Sequence, residues 1–288
     1  MEYRFKTAVL LTCHNRREKT LGCLTSLYHA CAHGNFEVDV YLVDDGSTDG
    51  TGDSVKRQFP KVNVIQGDGN LFWNQGMRLA WNTACANQSY DFYLWLNDDV
   101  ILTEFSLNDL FGTEREAFGL MGEPVIVVGA FHSGPEEHGF SYGGRDETGH
   151  PVKPNGQIQK CKMINGNAVL IPQPVFERLG NLSADYTHAL GDFDYSLRAH
   201  KVGIACYTTP RYIGICPRNS GTPAWCDPQI ALAKRIRLLH SPRGLNISEY
   251  YRFVLYHKGW LKAFFSKIKV YFRVLFPKLY IKLKHEER

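Results

Sequence analysis

Short apolar runs alternate with polar loops along the N-terminal third of the chain. Four of the runs predict buried strands, because they are short and rich in β-branched and aromatic residues: TAVLLT (7–12), VDVYLV (38–43), KVNVI (61–65) and FYLWL (92–96). Between them, apolar residues recur every three or four positions, which predicts helices over residues 20–30 and around Met77, Ala80, Trp81 and Ala84. Strands that alternate with helices form βαβ units, so the pattern predicts an α/β fold with a parallel sheet.

A polar loop follows each of the four predicted strands. These loops carry Thr12, Asp44, the turn at 68–70, and the adjacent carboxylates Asp98 and Asp99. The carboxyl ends of parallel strands share one sheet edge, and open α/β sheets place their ligands there. Two neighbouring carboxylates repel each other, and Mg²⁺ or Mn²⁺ would compensate them. Ordinary turns remain an alternative, since Asp, Gly and Ser also favour turns for backbone reasons.

A second acidic cluster, Asp192 and Asp194, stands at the start of the helix-like segment GDFDYSLRAHK. Negative charge at a helix N-terminus is favoured by the helix dipole, so a capping role is open beside a catalytic one. Arg198 follows Asp194 by one helical turn, where the two side chains could pair.

The segment between the two acidic clusters is rich in Gly, Pro, His and charge over residues 131–160, which predicts a hairpin and a mobile loop. Its histidines, His132, His138 and His150, lack metal-ligand spacing and are interpreted as solvent-exposed. Residues 164–171 (INGNAVLI) predict a return to a strand.

Composition and charge describe a globular protein with one large domain, or one domain and an appendage. Of the 288 residues, 44% are hydrophobic and 22% charged, and the net charge is +4. The eight cysteines form no CxxC pair, which predicts reduced, mostly structural thiols. No signal-peptide pattern and no stretch of about 18 uncharged apolar residues occurs, so a cytoplasmic protein without a transmembrane helix is expected.

The C-terminal segment differs from the rest in its charge. Residues 258–288 contain nine Lys or Arg against two Glu. Apolar residues recur there at helical spacing, interrupted by Pro277: Trp260, Phe264, Ile268, Phe272, Leu275 and Leu279. A basic amphipathic helix rich in aromatics is typical of a peripheral anchor on an anionic membrane, and packing on the core is the alternative. Nucleic acid is a poorer partner, because the remaining chain carries no basic stripe. We therefore predict a catalytic domain over 1–230 and a basic amphipathic helical extension over 231–288.

Four motifs in the N-terminal third occur in an order that is specific when taken together. They are the TxxN start at Thr12, the VDDGSTDGT loop, the Asn74-x-Gly76 spacing and the NDD strand end. No GxGxxG follows the first strand and no GxxxxGK[ST] occurs, so dinucleotide and P-loop binding lack their usual support. The four motifs resemble glycosyltransferase family 2, the inverting enzymes of the GT-A fold. The NLFWNQGMR and YLWLNDDV versions are similar to bacterial members that build surface polysaccharides such as O-antigen, including a rhamnosyltransferase-like branch.

The resemblance covers about the first 220 residues and implies transfer of a sugar from a nucleoside diphosphate-sugar to a saccharide acceptor. The acceptor is expected to be lipid-linked and presented at the inner membrane face, with the enzyme peripheral on that membrane. The resemblance assigns Asp192 as general base and Asp99, with Asp98 beside it, as ligand of a divalent cation (Mg²⁺ or Mn²⁺). The remaining expected substrate contacts are Thr12, Asn15, Asp44, Asp45, Asn74, Arg78, Asp98, Asn165, Asn167, Asp194 and Arg218. Among these, Thr12 and Asp44 would bind the nucleoside.

Two positions depart from the pattern of the family. Cys216 lies near the place where many relatives carry a metal-binding His, and Trp81 replaces a basic residue, a role that Arg78 could take. dTDP-rhamnose and a UDP-sugar are both open as donors. Two other functions also stay open: a nucleotidyltransferase, although the CHNRRE loop lacks the glycines that hold a triphosphate, and a non-catalytic, membrane-associated carbohydrate-binding protein.

Overall fold

The computed structural model of the protein describes residues 5–134, 139–218 and 222–286. Its strands are β1 (Thr7–Cys13), β2 (Val38–Asp44), β3 (Asn63–Gln66), β4 (Phe92–Leu96), β5 (Ile101–Leu102), β6 (Ile126–His132), β7 (Gly144–Arg145), β8 (Gln159–Cys161), β9 (Met163–Ile164), β10 (Ala168–Pro172) and β11 (Cys206–Ile215). Its α-helices are α1 (Arg17–Gly34), α2 (Thr51–Gln58), α3 (Phe72–Asn87), α4 (Ser106–Met121), α5 (Gln173–Leu179), α6 (Gly191–Lys201), α7 (Leu232–Leu239), α8 (Ile247–Lys258), α9 (Trp260–Leu275) and α10 (Pro277–Glu286), and a 3₁₀ turn spans Ala224–Cys226.

Nine of the strands in the described part of the chain form one sheet. Their order is β3-β2-β1-β4-β10-β6-β11-β5, with β8 paired to β11. Strands β1 to β4 run parallel, whereas β10 runs antiparallel to both of its neighbours, β4 and β6. The amino end of β10 therefore lies at the same sheet edge as the carboxyl ends of β1 to β4. The predicted α/β fold with a parallel N-terminal sheet is confirmed.

Both faces of the sheet are covered by helices. Successive residues of a strand point to opposite faces, and in β1 Val9 and Leu11 pack with apolar residues of α1 and α4, while Ala8 and Leu10 pack with those of α3 and α6. The four α3 residues predicted to share an apolar face are all fully buried: Met77, Ala80, Trp81 and Ala84. This packing fixes the helix starts, and with them the polar loops, at one edge of the sheet.

Residues 164–171 do not form the single strand predicted for them. β9 ends at Ile164 and β10 begins at Ala168, so residues 165–167 form a polar connection between two strands. The reason is pairing: Ala168 opposes Leu96 in the antiparallel ladder with β4, and the connection reaches past the end of that ladder.

The segment over residues 131–160 forms short pairings. β7 pairs with β9 and β8 pairs with β11, while a tight turn over residues 146–150 brings Arg145 opposite Pro151. His150 is exposed as predicted, but His132 is half-buried and its Nδ1 lies 3.2 Å from the Gly134 carbonyl. His138 lies outside the described residues.

Internal contacts divide the chain into two compact units. The first comprises Met1–Ala184 and Gly191–Arg218, and the second comprises Asp185–Leu190 and Asn219–Arg288. The domain boundary predicted at residue 230 stays a prediction. All eight cysteines are free thiols; seven are buried, and Cys85 is half-buried.

The second unit has a small core of its own. Buried apolar residues from the 3₁₀ turn and from α7, α8 and α9 form it: Trp225, Cys226, Leu239, Ile247, Val270 and Val274. The short segment Asp185–Leu190 is tied to α8, because Thr187 donates to both carboxylate oxygens of Glu249, at 3.1 Å from its N–H and 2.6 Å from its hydroxyl.

The residues that helix α9 buries are not the aromatic residues whose helical spacing is visible in the sequence. Ala263, Val270 and Val274 are buried, whereas Trp260 is 67% exposed and Phe265 is 63% exposed. Phe264, Ile268, Leu275 and Leu279 are exposed as well. Pro277 begins α10, in agreement with the predicted interruption. Among the helices of the described residues, none has the length and apolar character that crossing a membrane would need.

Candidate functional site

Asn15 joins the loops that follow β1 and β2. Its backbone N–H donates to Ser47 Oγ at 2.9 Å, and its Oδ1 accepts the N–H of Thr48 at 2.7 Å. Asn15 has a φ of 51°, a left-handed conformation that Asn adopts more readily than most residues. The two loops are therefore fixed relative to each other at the sheet edge where the nucleoside is expected.

Asp44 and Asp45, at the end of β2, are both buried and make different contacts. Asp45 accepts the N–H of Gly69 at 2.8 Å and the N–H of Phe72 at 2.9 Å, one on each carboxylate oxygen. Asp44 Oδ1 accepts the N–H of Ser47 at 3.0 Å. Asp45 thus holds the turn between β3 and α3, and direct contact of either carboxylate with a substrate stays a prediction.

Helix α3 approaches the end of β1 closely because residue 76 is Gly. A Cβ at this position would overlap Thr12 Oγ1 and lie 2.9 Å from Thr12 Cβ. From the same helix, the buried Asn74 donates to the Ser183 carbonyl at 2.8 Å, and Arg78 donates to the Leu182 carbonyl. Asn74 and Arg78 therefore hold residues 182–183, and their predicted substrate contacts are not tested by these bonds.

Asp98 and Asp99, after β4, converge on the guanidinium of Arg16. Arg16 Nη1 donates to Asp98 Oδ1 and to Asp99 Oδ2, each at 3.0 Å. Asp98 is buried and also accepts from Thr20 Oγ1 at 3.4 Å. Burial raises the pKa of Asp98 to about 6, although the positive charge of Arg16 acts in the opposite direction. The acidic pair is therefore neutralised in part by a cation of the protein itself.

Cys216 is a weak candidate for a further metal ligand. Its Sγ accepts a side-chain N–H of Asn167 at 3.3 Å and lies 3.9 Å from Asp99 Oδ1. Burial, and next the charge of Asp99, raise the pKa of Cys216 to about 12. The group is a neutral thiol near pH 7, and a thiol is a poor partner for Mg²⁺ or Mn²⁺.

The acidic pair nevertheless fits a hard cation with few protein ligands. Residues 5–134, 139–218 and 222–286 contain no cluster of three or more His, Cys, Asp or Glu suited to a metal ion. Mg²⁺, however, usually takes one or two carboxylates and completes its shell with water and substrate phosphates. The oxygens of Asp98 and Asp99, which already converge on one positively charged nitrogen, match that requirement.

Asp192 stands at the second position of α6 and is half-buried. Its Oδ2 accepts the N–H of Gly166 at 3.0 Å, and its Oδ1 accepts the N–H of Phe193 at 2.8 Å. Burial raises the pKa of Asp192 to about 6, although these N–H donors and the charge of Arg145 lower it. A carboxylate whose pKa lies near the working pH is suited to accepting a proton. The bond to Phe193 in the first turn of α6 is compatible with the capping alternative too.

The ion pair predicted between Asp194 and Arg198 is confirmed. Arg198 Nε donates to Asp194 Oδ2 at 2.8 Å, and the same guanidinium donates to the carbonyls of Leu179 and Asn181 at 2.8 and 3.1 Å. Asp194 is buried, so this network orients α6, and contact of Asp194 with a substrate stays a prediction.

Residues 165–167 connect the candidate base to the acidic pair. The Gly166 N–H bonds Asp192, and the Asn167 carbonyl accepts the N–H of Asn97 at 2.9 Å. Asn97 Oδ1 in turn accepts Trp73 Nε1–H at 2.7 Å. Asn165 Oδ1 is buried and has no hydrogen-bond partner among the residues that the structure describes, as expected for an acceptor available to a ligand.

Two arginines of the site were not found by motif reasoning. Arg16 contacts the acidic pair, and Arg145 is close enough to Asp192 to lower its pKa. Burial, and next the positive charge of the exposed Arg218, lower the pKa of Arg145 itself. Arg145 ends the two-residue strand β7 within the segment 131–160, where no spacing distinguishes it, and Arg16 lies in the sequence CHNRRE (13–18), where no motif marks it.

The chain resembles known proteins at the level of a family and of a fold. Residues 8–113 match the family model described as glycosyl transferase family 2, and this segment carries the four motifs and the acidic pair. The resemblance to glycosyltransferase family 2 is confirmed. Within it, the rhamnosyltransferase-like branch stays a prediction. No curated protein sequence gives a significant match to the chain.

Two solved structures share the fold of this chain. One is the mannosyltransferase PcManGT from Pyrobaculum calidifontis, solved in complex with GDP-Man and Mn²⁺; the TM-score is 0.52 at 16% identity, over 87% of this chain and 65% of that chain. The other is S. aureus TarS 1–349, with a TM-score of 0.53 at 12% identity, over 94% of this chain and 70% of that chain. The chain thus spans slightly less than two thirds of the mannosyltransferase. The predicted GT-A fold is confirmed, with helices following it at the C-terminus.

Proposed function

We propose that the protein is an inverting glycosyltransferase that moves a sugar from a nucleoside diphosphate-sugar to a saccharide acceptor. The observation that carries this proposal is the connection of Asp192 to the acidic pair through residues 165–167, at the sheet edge that also holds Thr12, Asn15 and Asp44. Such a transfer needs a general base that takes the proton of the acceptor hydroxyl, and it needs a site that binds the diphosphate of the donor.

Asp192 would act as the general base. It takes the proton of the attacking acceptor hydroxyl as the oxygen of that hydroxyl bonds the anomeric carbon of the donor. The bond between the anomeric carbon and the diphosphate oxygen breaks at the same time, and the nucleoside diphosphate leaves with the electron pair. Gly166 and Phe193 occupy one lone pair on each oxygen of Asp192, which leaves further lone pairs for the proton.

The diphosphate would be bound beside Asp98 and Asp99. A divalent cation held by Asp99, with Asp98 beside it, would neutralise the charge that develops on the leaving group. Arg145, which is close enough to Asp192 to lower its pKa, and Arg218, which is close enough to Arg145 to lower the pKa of that arginine, supply positive charge on the side of the candidate base. Support for a cation and a nucleotide-sugar comes from the mannosyltransferase with the same fold, which was solved with Mn²⁺ and GDP-Man.

The donor class is the part of the proposal that an experiment should decide first. Thermal unfolding is measured for wild type, Asp99→Ala and Asp192→Asn with GDP, UDP, dTDP and their sugars, each with Mn²⁺ or with EDTA. A nucleotide at 100 times its Kd should add about 2.7 kcal/mol to the free energy of unfolding. We expect the nucleotides of one nucleobase to stabilise the wild type, and only when Mn²⁺ is present. The same nucleotides should not stabilise Asp99→Ala, and they should stabilise Asp192→Asn as much as the wild type.

The same variants separate binding from chemistry. Release of nucleoside diphosphate from the donor identified in this way should fall by about 10²–10⁴-fold in Asp192→Asn, the usual contribution of a general base. The control variant is Asp53→Ala, which removes an exposed carboxylate of α2 and should change neither quantity. If no nucleotide stabilises the wild type, the proposal fails and a carbohydrate-binding protein becomes the better interpretation.

We also propose that the C-terminal unit associates with an anionic membrane surface, which would bring a lipid-linked acceptor within reach. The exposed aromatic stripe of α9 supports this, since Trp260, Phe264 and Phe265 are not used by the core of that unit. Exposed lysines lie on the same helix, namely Lys262, Lys267 and Lys269. Apolar contact together with attraction to anionic lipid is the usual combination in peripheral helices.

A further inference from the structure

Arg16 makes contacts that the proposed transfer does not account for. It stands directly before α1, and one of its nitrogens bonds a carboxylate oxygen of Asp98 and one of Asp99. Its carbonyl accepts both the N–H of Thr20 at 2.9 Å and the Thr20 hydroxyl at 3.0 Å. Because the Thr20 hydroxyl also reaches Asp98, the backbone of Arg16 is fixed against the acidic pair.

Arg17, the next residue, shows that this arrangement is specific. Its guanidinium bonds Glu18 at 3.0 Å and the Asp49 carbonyl at 3.5 Å, and its N–H bonds the Asp49 side chain at 3.1 Å. Two adjacent arginines thus have different partners: within the described part of the chain, Arg16 bonds the carboxylates after β4, whereas Arg17 bonds Glu18 and Asp49. Arg17 therefore offers a matched control of equal charge.

We propose that Arg16 is the resident counter-ion of the acidic pair, and that a divalent cation must displace it in order to bind Asp98 and Asp99. This inference rests on the proposed function, since it concerns the cation site of the transfer. A guanidinium and a divalent cation cannot both contact the same two oxygens without strong repulsion between their charges. Binding of the cation and release of Arg16 are therefore one coupled event.

This coupling gives Arg16 a positioning role before the donor arrives. Two neighbouring carboxylates with no cation would repel each other, and Asp98 is buried, so its negative charge is costly. Arg16 holds both side chains in a convergent arrangement at the expense of cation affinity. A hydrogen bond between charged groups is typically worth enough to change an equilibrium constant about tenfold.

The test measures Mn²⁺ binding directly, without turnover, by the electron paramagnetic resonance signal of free Mn²⁺. The proteins are wild type, Arg16→Gln, Arg17→Gln, Asp99→Asn and the double variant Arg16→Gln/Asp99→Asn, each checked for an intact thermal transition. We expect Arg16→Gln to bind Mn²⁺ about tenfold more tightly than wild type, and Arg17→Gln to bind like wild type. Arg16→Gln/Asp99→Asn should not show the tighter Mn²⁺ binding expected of Arg16→Gln.

The outcomes distinguish this inference from the proposed function. If Asp99→Asn weakens Mn²⁺ binding but Arg16→Gln binds no more tightly than wild type, the cation site stands and the displacement of Arg16 is wrong. A comparable gain in Arg17→Gln would also overturn it, because general charge would then explain the effect. If Asp99→Asn binds Mn²⁺ as wild type does, the proposed cation site fails, and the role of Arg16 fails with it.

Discussion

At the scale of single residues, the environment of Asp192 predicts how the proposed transfer depends on pH. Burial raises the pKa of Asp192 to about 6, so the group is protonated below that pH and cannot accept a proton. The rate of transfer at saturating Mn²⁺ should fall about tenfold per pH unit below about pH 6 and level off above it. An Asp with an ordinary pKa of about 3.9 would keep its activity to much lower pH.

The pH profile has to separate Asp192 from Asp98, because burial raises the pKa of Asp98 to about 6 as well. Nucleotide-dependent stabilisation measured at the same pH values reports on the proposed diphosphate site alone, because binding requires no general base. A rate that falls while this stabilisation persists supports Asp192. A rate that stays constant down to about pH 4.5, close to the ordinary pKa of Asp, would contradict the assignment.

Motif reasoning at this scale found the carboxylates and missed Arg16 and Arg145. Asp98, Asp99 and Asp192 stand at a strand end or a helix start, and such positions are visible as breaks in the hydrophobic pattern. Arg16 meets Asp98 across 82 intervening peptide bonds, and no local pattern encodes that distance. The contact of Arg16 with Asp98 depends on the strand order, which brings the end of β1 beside the end of β4.

At the scale of secondary-structure elements, the close approach of α3 to β1 depends on Gly76. Gly76→Ala should lower the free energy of unfolding by about 1–3 kcal/mol, the usual penalty for overpacking. The new methyl group would overlap the side chain of Thr12. Thr12→Ala in the same chain should restore part of the loss, because it removes the hydroxyl and leaves only the 2.9 Å approach of the two Cβ atoms.

Gly112→Ala is the matched control for this helix contact. Gly112 lies inside α4, and a Cβ there would meet no atom within 4 Å. Alanine favours a helix over glycine by about 0.5–1 kcal/mol, so this variant should be neutral or more stable. Urea unfolding compares the wild type, Gly76→Ala, Gly76→Ala/Thr12→Ala and Gly112→Ala. If Gly76→Ala and Gly112→Ala change the free energy of unfolding equally, overlap with Thr12 is not the cause of the loss.

The parallel strands could be predicted from the sequence, whereas the course of β10 could not. Strands β1 to β4 are apolar runs separated by helices, and strands that alternate with helices usually form a parallel sheet with right-handed crossovers. The direction of β10 depends on its pairing with β4 and β6, which is a property of distant partners. As a result, Asn165 and Asn167 were assigned to a strand and instead form the connection that joins Asp192 to the acidic pair.

At the scale of the whole molecule, the uneven distribution of charge and exposed apolar surface predicts binding to anionic vesicles. Removing Trp260, Phe264 and Phe265 together by substitution to Ala should weaken partitioning at least about tenfold, since burial of one large apolar side chain is worth about 1.5–3 kcal/mol. These side chains are exposed, so the fold should tolerate the change. Flotation with vesicles of phosphatidylcholine, with and without phosphatidylglycerol, measures the effect.

A control for this experiment removes apolar surface from another part of the chain. Phe118 and Leu120 of α4 are also exposed, and Phe118→Ala/Leu120→Ala should leave vesicle binding unchanged. Binding of the wild type should weaken as salt is raised, because lysines contribute to it. If the wild type does not float with anionic vesicles, the proposed membrane association is wrong. The proposed glycosyl transfer does not depend on this result.

Because most of its thiols are buried, modification of the cysteines of this protein measures local unfolding. Alkylating reagents reach a cysteine only when the structure around it opens, and Cys85, the half-buried thiol, is the first that such a reagent would modify. Cys226 belongs to the core of the C-terminal unit, and the remaining buried cysteines lie in the first unit. Mass spectrometry of the modified peptides therefore follows the opening of each unit separately, without any engineered label.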